Sequence, residues 1–224
     1  MAEGHRAIAR QIAQEHLQAG DPLGWFEDLY SRAVEETSII PWADLKPNPN
    51  LVDWLDQNRF PISGRSLTIG CGLGDDAEEL ARRGFTTTAF DISESAIMWS
   101  RRRFPRSSVL YVVSDLLSAP ADWEAMFDFV LESYTLQVLP SGLRLDAVRS
   151  ISSFVAPGGV LLVIARGREP SEPEGTMPWP LSKKKLSLFK AHGLQEVAFE
   201  DFMDSEEVPV RRFVATYRRE RQDE

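Results

Sequence analysis

The sequence has one cysteine, no long apolar run and no excess of positive charge, and each scarcity excludes a class of protein. Cys71 is the only cysteine among 224 residues, so an intrachain disulfide is impossible and a reducing compartment is compatible with the chain. No apolar run is long enough to span a bilayer, and the first residues lack the apolar core of a signal peptide. We therefore expect a cytoplasmic protein with no membrane partner.

Positive charge is also scarce, which argues against a nucleic-acid partner. The 25 Lys and Arg residues are outnumbered by 34 Asp and Glu residues, giving a net charge of −9. The basic runs at 101–103 and 183–185 lie inside helical patterns and predict solvated helix faces. A hydrophobic content of 43% is ordinary for a globular protein, and the chain is long enough to bury a core.

The first part of the chain has a helical pattern broken by prolines. Apolar residues at helical spacing predict a helix over 7–17, and a second short helix is expected over 25–34. Prolines 41, 47 and 49 then enforce an extended or turning path before a helix over 51–55. Residues 1–60 are therefore predicted to form a helical cap on a core formed by residues 61–224, within one domain.

From residue 64 onward, strand-like and helical segments alternate. Strands are predicted at 66–70, 86–90, 109–113, 127–131 and 160–165, and helices at 77–83, 94–104 and 141–155, the last ending at the Pro-Gly-Gly of 157–159. This alternation predicts a mostly parallel sheet covered on both faces. After a helix over 182–191, strands over 194–202 and 210–217 follow without a helix between them and predict a terminal antiparallel hairpin.

The stretch LTIGCGLGDD, residues 67–76, ends the first strand with three glycines and two acids. Glycines 70, 72 and 74 let a ligand approach the backbone at the edge where open sheets bind ligands. The dinucleotide pattern G-x-G-x-x-G would need glycine where Asp75 stands. Two adjacent carboxylates suit a cationic ligand better than a pyrophosphate, although Asp75 as a helix cap and Asp76 in the first turn remain an equal alternative.

Two further acids follow the next strands and point to a nucleoside. Asp91 ends the second strand, where a carboxylate can accept both ribose hydroxyls of a nicotinamide or an adenosyl cofactor. Asp115 and Leu116 follow the third strand, where they can read an adenine amino group and cover its ring.

Together, residues 51–165 resemble the class I S-adenosylmethionine-dependent methyltransferases, with GCGLG as the glycine loop, Asp91 as the ribose acid, SDLL beside adenine and FDFVLESYTLQVLP as the fourth strand and its turn. The resemblance implies an α/β, Rossmann-like three-layer sandwich with a seven-stranded sheet ending in the hairpin, and S-adenosyl-L-methionine as cofactor. It implies these cofactor-binding residues: Trp42, Gly70, Cys71, Gly72, Asp91, Ile92, Asp115, Leu116 and Glu132.

The lead-in IIPWADLKPNP and the segment DISESAI are similar to the thiopurine, thiol and halide methyltransferase branch, to which tellurite-resistance methyltransferases are related. By that comparison Trp42 would lie against the cofactor, and Trp25 or Tyr30 would come from the covering helix, with core packing as the alternative for each. The branch often has Asp-Arg or Asp-Tyr after the fourth strand, whereas Glu132-Ser133-Tyr134 stands here.

The resemblance places the methyl acceptor at the ends of the fourth and fifth strands. Tyr134, Glu132 and Arg166 are the predicted catalytic residues, with no metal, and the proline-rich loop 169–181 is a predicted lid. Arg166 and Arg168 could hold an acidic acceptor, with surface ion pairing as the alternative, and His192 could act as a base, with a helix cap as the alternative. We expect methyl transfer to a small thiol, other chalcogen or halide. The alternatives are O- or N-methylation, a catalytically silent S-adenosylmethionine-binding regulator, and a nicotinamide-dependent oxidoreductase.

Overall fold

One mixed β-sheet forms the centre of the computed structural model, which describes residues 2–33, 40–58, 64–206 and 208–221. Its strands are β1 (Arg65–Ile69), β2 (Thr86–Asp91), β3 (Leu110–Val113), β4 (Phe127–Ser133), β5 (Val155–Arg168), β6 (Leu181–Ser182), β7 (Leu194–Met203) and β8 (Arg211–Arg219). The order across the sheet is β3-β2-β1-β4-β5-β8-β7, and the two-residue β6 pairs with β5. The predicted fold class is confirmed.

Helices lie on both faces of this sheet and over its carboxyl edge. They are α1 (Ala2–Gln18), α2 (Trp25–Arg32), α3 (Pro49–Gln57), α4 (Asp75–Arg82), α5 (Glu94–Arg103), α6 (Arg144–Phe154) and α7 (Lys183–Leu186). Alternate residues of β5 point to opposite sides: Leu161 and Val163 join the core under α6, and Leu162 joins the core under α3 and α4. Two apolar layers on one sheet give the three-layer sandwich. None of the helices in the described ranges is both long and apolar enough to cross a membrane.

The strand directions change after β5. Strands β1 to β5 run parallel, whereas β8 lies antiparallel between β5 and β7. The predicted terminal hairpin is therefore confirmed, and it places the β7–β8 turn at the same sheet edge as the ends of the parallel strands.

Two local predictions need correction. The helix α6 ends at Phe154, and Pro157-Gly158-Gly159 lie within β5 rather than at the helix end, because the chain pairs with β4 directly after the helix, from Val155 on. The single helix expected over 182–191 is a four-residue α7 followed by a 3₁₀-helix over Ser187–His192. Part of the second predicted helix, at residue 34, lies outside the described residues.

Side-chain caps explain where two site-forming helices begin. Asn48 accepts a hydrogen bond from the Asn50 N–H, and Pro49 occupies the first turn of α3. Ser93 accepts a hydrogen bond from the Ala96 N–H at the start of α5. Both caps stand at the carboxyl edge of the sheet, so the helices leave that edge at fixed positions.

A matched pair of leucine substitutions tests the core assignment. Leu162 is 0% exposed in central β5, and Leu110 is 62% exposed on edge strand β3. Leu162→Ala should lower the free energy of unfolding by about 2–5 kcal/mol because it leaves a cavity. Leu110→Ala should change it by less than about 0.5 kcal/mol. Urea unfolding measures both, and equal losses would contradict the assignment.

Candidate functional site

A cavity of about 910 Å³ opens at the carboxyl edge of the sheet. It is walled by the turn after β1, the ends of β2 to β5, the helical cap, the loop after β5 and the β7–β8 turn. The predicted site residues that line it are Trp42, Gly70, Cys71, Gly72, Asp91, Ile92, Asp115, Leu116, Tyr134 and Arg166. Glu132 is not among the lining residues, and it is discussed below.

Asp91 is the buried acid at the end of β2. Its Oδ2 accepts a hydrogen bond from the Gly72 N–H (2.9 Å), and its Oδ1 accepts one from the Ser93 N–H (3.0 Å). Burial raises the pKa of Asp91 to about 6, against these backbone hydrogen bonds. Each carboxylate oxygen keeps a second acceptor position, so two ligand hydroxyls can bind at the same time.

The glycine loop has a conformation and a packing that a side chain would disturb. Gly70 and Gly72 have φ values of +56° and +52°. A Cβ on Gly70 would lie 2.5 Å from Thr135 Oγ1, and one on Gly72 would lie 2.8 Å from the Tyr30 hydroxyl. The loop is therefore packed between the β4 turn and the cap. Cys71 lies between the two glycines with its pKa raised well above the usual value by burial and by Asp91, so its thiol is neutral.

The two acids after the glycines have different environments, and neither caps α4, whose N-cap is Gly74. Asp75 forms a two-pronged ion pair with Arg103 (2.6 and 2.7 Å), so its charge is compensated inside the protein. Asp76 accepts a hydrogen bond from the Asn48 N–H (2.7 Å), and burial raises its pKa to about 6. The interpretation of Asp75 as a cap is wrong, whereas Asp76 lies in the first turn of α4 as its alternative predicted, and its side chain also lines the cavity.

The cap is fastened over this edge by one glutamate of α2. Glu27 accepts hydrogen bonds from the Ser93 hydroxyl (2.6 Å), the Ser95 hydroxyl (2.6 Å) and the Ser95 N–H (3.1 Å). A carboxylate at the start of α5 is also favoured by the helix dipole. Ser93 in turn donates its N–H to Asp91, so the cap and the buried acid share one hydrogen-bonded chain.

Two aromatic side chains of the cap region lie over the glycine loop. The Trp42 indole N–H donates to the Tyr30 hydroxyl (3.0 Å), and both residues line the cavity. Trp42 is 39% exposed, as a ring presented to a ligand would be, whereas Trp25 is 1% exposed and stacks on Phe26. Core packing is thus the outcome for Trp25.

The turn after β4 lies between the two halves of the cavity, and Glu132 supports this turn from beneath. Its Oε1 accepts hydrogen bonds from the Thr135 N–H (2.8 Å) and the Leu136 N–H (2.9 Å). The side chain is 0% exposed, and burial raises its pKa to about 7. The structure therefore places Glu132 as a support of the turn rather than on the cavity wall, which differs from its predicted cofactor and catalytic contacts.

Tyr134 stands at the top of that turn with a φ of +63°. Its ring lies under the Arg212 guanidinium, 5.3 Å from centroid to Cζ. Burial raises the pKa of Tyr134 above its usual value. The phenol is therefore a hydrogen-bond donor near neutral pH and not a base.

Four arginines lie near the ends of β5 and β8. Arg168 donates to carbonyls of the loop that follows it, including those of Glu172 and Pro180. Arg212 lines the cavity and pairs with Asp204 and Glu206, whereas Arg211 is turned to Asp201 and Glu169. The strand alternation that allows only one of Arg211 and Arg212 to face the site is confirmed, and ion pairing is the role of Arg168. Arg166 lines the cavity.

The predicted lid is pinned to both sides of the opening. The Trp179 N–H donates to the Gln137 carbonyl (2.7 Å), and Arg10 of α1 donates to the Met177 carbonyl (2.9 Å). Met177 and Pro178 line the cavity. His192, by contrast, lies in the last turn of the 3₁₀-helix before Gly193 and is not a lining residue, as its cap alternative predicted.

Several site residues carry no recognisable signal in the sequence. Glu27 is one of two adjacent acids in the short helix α2, and its serine partners lie 66 and 68 residues away. The Phe202–Glu206 end of the hairpin lines the cavity only because β8 lies antiparallel to β5. Within the described ranges, no cluster of three or more His, Cys, Asp or Glu side chains is arranged to hold a metal ion.

The raised pKa of Glu132 predicts a measurable pH dependence of stability. The pKa of Glu132 is 4.5 in the unfolded chain and about 7 in the folded chain, so between these pH values the folded chain binds a proton that the unfolded chain has lost. The contribution of Glu132 to the free energy of unfolding therefore falls as pH rises through that window. The Glu132→Gln variant should lose this pH-dependent change, which amounts to at most about 3 kcal/mol. Its free energy of unfolding should therefore fall less steeply with pH than that of the wild type. Urea unfolding between pH 4.5 and 7.5 measures it. Exposed Glu124→Gln should keep the wild-type slope, and an unchanged slope in Glu132→Gln would contradict the assignment.

Known proteins resemble this chain over a region that includes the glycine loop. Residues 67–159 match the model of a methyltransferase domain. A ubiquinone biosynthesis O-methyltransferase of Xanthomonas campestris is 29% identical over 126 residues, covering 55% of this chain and 52% of the relative. A probable thiol methyltransferase 2 of Arabidopsis thaliana is 26% identical over 164 residues, covering 72% and 68%. The chain thus spans about half the length of the first of these relatives.

The fold also matches a solved structure. The N-methyltransferase NodS from Bradyrhizobium japonicum, in complex with S-adenosyl-l-homocysteine, superimposes with a TM-score of 0.66 at 20% identity, covering 86% of this chain and 97% of NodS. At that identity the likeness concerns the fold. With the domain match over residues 67–159 and the glycine loop, it shows that the chain has a Rossmann-like fold similar to that of S-adenosylmethionine-dependent methyltransferases.

Proposed function

We propose that this protein transfers a methyl group from S-adenosyl-L-methionine to a small-molecule acceptor whose attacking atom is a soft nucleophile, a thiol or other chalcogen or a halide. The observation that supports a soft nucleophile is the state of Tyr134: the phenol on the acceptor side stays protonated, and Glu132 is turned beneath the turn. A thiol, with a pKa near ~8.5, needs little help to ionise. The thiol methyltransferase among the relatives agrees with this choice.

The residues of the cavity fit the proposed cofactor. Asp91 offers two acceptor positions for the ribose hydroxyls. Asp115 Oδ1 accepts from the Leu117 N–H (2.8 Å), and its Oδ2 accepts a long hydrogen bond from the Ser118 hydroxyl (3.5 Å), so Oδ2 keeps an acceptor position for an adenine amino group. Leu116 and Trp42 supply apolar surface for the base and the outer wall. When bound, the cofactor supplies a methyl group on a sulfonium. The chain's own part is to align the acceptor with that methyl group at about 3–3.5 Å and to exclude water.

The domain assignment is part of this proposal. We propose that residues 1–224 form one methyltransferase domain in which residues 1–60 cap the cofactor site. Supporting contacts are Glu27 on Ser93 and Ser95, and the pairing of Trp42 with Tyr30. The pinned lid supports an enzyme over a silent binding protein, because a regulator needs no covered acceptor space.

One observation favours a second function, O-methylation. Asp76 lines the cavity with a pKa raised to about 6, and a carboxylate of that kind can act as a general base for a hydroxyl. The ubiquinone biosynthesis O-methyltransferase relatives agree with it. The two functions differ in their need for Asp76.

Competition between acceptor atoms separates these functions. Purified protein with labelled S-adenosylmethionine should methylate thiophenol or iodide faster than phenol or aniline. Asp76→Asn should leave thiol turnover within about threefold, because a thiolate needs no base. Exclusive methylation of phenol, lost in Asp76→Asn, would establish the second function and overturn the first.

Because Glu27 fastens the cap, we expect it to affect cofactor affinity without contacting the cofactor. Glu27→Gln should weaken binding of S-adenosylhomocysteine about 10-fold, because charge-assisted hydrogen bonds to Ser93 and Ser95 are worth about 1.5–3 kcal/mol. Titration calorimetry measures the dissociation constant. Glu15→Gln on the exposed face of α1 is the control and should bind as the wild type does. Equal affinity in both variants would show that the cap does not shape the site.

A further inference from the structure

We propose that the methyl acceptor carries a carboxylate, or an equivalent anionic group, separate from its attacking atom, and that Arg166 binds this group. The inference rests on the proposed function, since it concerns the acceptor of that same cavity. It names a substrate class, small anionic acceptors, and one residue that selects them.

The position of Arg166 is fixed by its backbone. It lies near the end of β5, opposite Arg212 of β8, and its N–H donates to Gln137 Oε1 (2.7 Å). The side chain is half-buried and lines the cavity. The guanidinium can therefore reach a ligand without a movement of the strand.

The guanidinium of Arg166 has no hydrogen-bond or ion-pair partner within the described ranges, unlike the guanidinium groups of Arg168, Arg211 and Arg212 on the same two strands. Among the residues that the structure describes, no carboxylate lies within ion-pairing distance of it and no carbonyl accepts a hydrogen bond from it. Arg168 and Arg211, by contrast, have ion pairs with Glu174 and with Asp201. Described carboxylates thus pair with Arg168, Arg211 and Arg212, whereas Glu206 acts on Arg166 only from beyond ion-pairing distance.

The surroundings of Arg166 make that lack of a partner costly. Burial lowers the pKa of Arg166, and the positive charges of Arg212 and Arg6 lower it further. The nearby carboxylates of Asp204 and Glu206 are held by Arg212. A half-buried cation beside two others gains from any anion that enters, and a planar carboxylate can take two of its N–H groups at once.

The place in the sheet assigns this anion to the acceptor rather than to the cofactor. Asp91 ends β2, and the order β2-β1-β4-β5 puts Arg166 three strands away, about 14 Å at the usual strand spacing. The β4 turn with Tyr134 lies between them. A group bound at Arg166 therefore lies beyond that turn from the nucleoside acid, on the side of the lid and the hairpin.

Matched acceptors test the inference. The protein is given 4-mercaptobenzoate and 4-mercaptobenzamide, which share the thiol and the ring and differ in charge, with labelled S-adenosylmethionine. The ratio of kcat/KM should favour the carboxylate by about 10- to 100-fold, as one charge-assisted pair allows. Arg166→Gln should bring the ratio near one through a higher KM for the carboxylate, and Arg166→Lys should restore part of it. The control Arg211→Gln should keep the wild-type ratio.

Two results would overturn the inference. Equal kcat/KM values for the two thiols in the wild type would show that no anion site contributes. Loss of S-adenosylhomocysteine affinity in Arg166→Gln, with the thiol ratio unchanged, would assign the arginine to the cofactor's own carboxylate. Calorimetry with S-adenosylhomocysteine also shows whether the variant is folded, and the wild-type comparison needs no variant.

Failure of the proposed function gives a different pattern. If neither thiol is methylated but 4-hydroxybenzoate is methylated faster than 4-hydroxybenzamide, the soft nucleophile is wrong and the anion site stands. If no compound turns over, calorimetric binding of benzoate and benzamide to the protein saturated with S-adenosylhomocysteine tests the anion site by itself. A benzoate preference that Arg166→Gln removes supports the site, and equal binding overturns it.

Discussion

The Asp91 carboxylate, held by the N–H groups of Gly72 and Ser93, is the contact on which the rest of the site depends. One bond fixes the glycine loop against the end of β2, and the other fixes the start of α5. Ser93 then binds Glu27, which fastens the cap. A charge this well buried is costly, as the raised pKa of Asp91 records, and hydroxyl groups of a ligand would offset part of that cost.

The cavity divides at the turn after β4 into two ends with opposite electrostatics. One end has Asp91 and Asp115 and suits hydroxyl and amino donors, such as those of the proposed nucleoside. The other end, where we propose that the acceptor binds, has Arg166 and Arg212, and among the described residues the hairpin carboxylates form ion pairs with Arg212 and not with Arg166. The turn itself is held by Glu132 from inside the core. A change at Glu132 would therefore reach both ends without touching either ligand.

Sequence patterns predicted the sheet, the terminal hairpin and most of the cavity lining because these features depend on local periodicity and on the ends of strands. The position of Asp91 on the cavity wall could be predicted directly, because Asp91 stands at the end of β2. Glu132 shows the limit: its position at the end of β4 was right, but which way the side chain points depends on the turn that closes over it. Asp75 was misread because its partner, Arg103, lies 28 residues away. Glu27 and the hairpin residues had no local signal, since only tertiary packing brings them to the site.

We propose that this edge of the sheet holds an adenosyl cofactor between Asp91 and the cap. Titration calorimetry with S-adenosylhomocysteine and with NAD tests it most directly, because both ligands carry an adenosine and only NAD carries a pyrophosphate. We expect stoichiometric binding of S-adenosylhomocysteine, lost in Asp91→Ala while the fold is kept, and no response to NAD. Tight binding of NAD with no response to S-adenosylhomocysteine would contradict it.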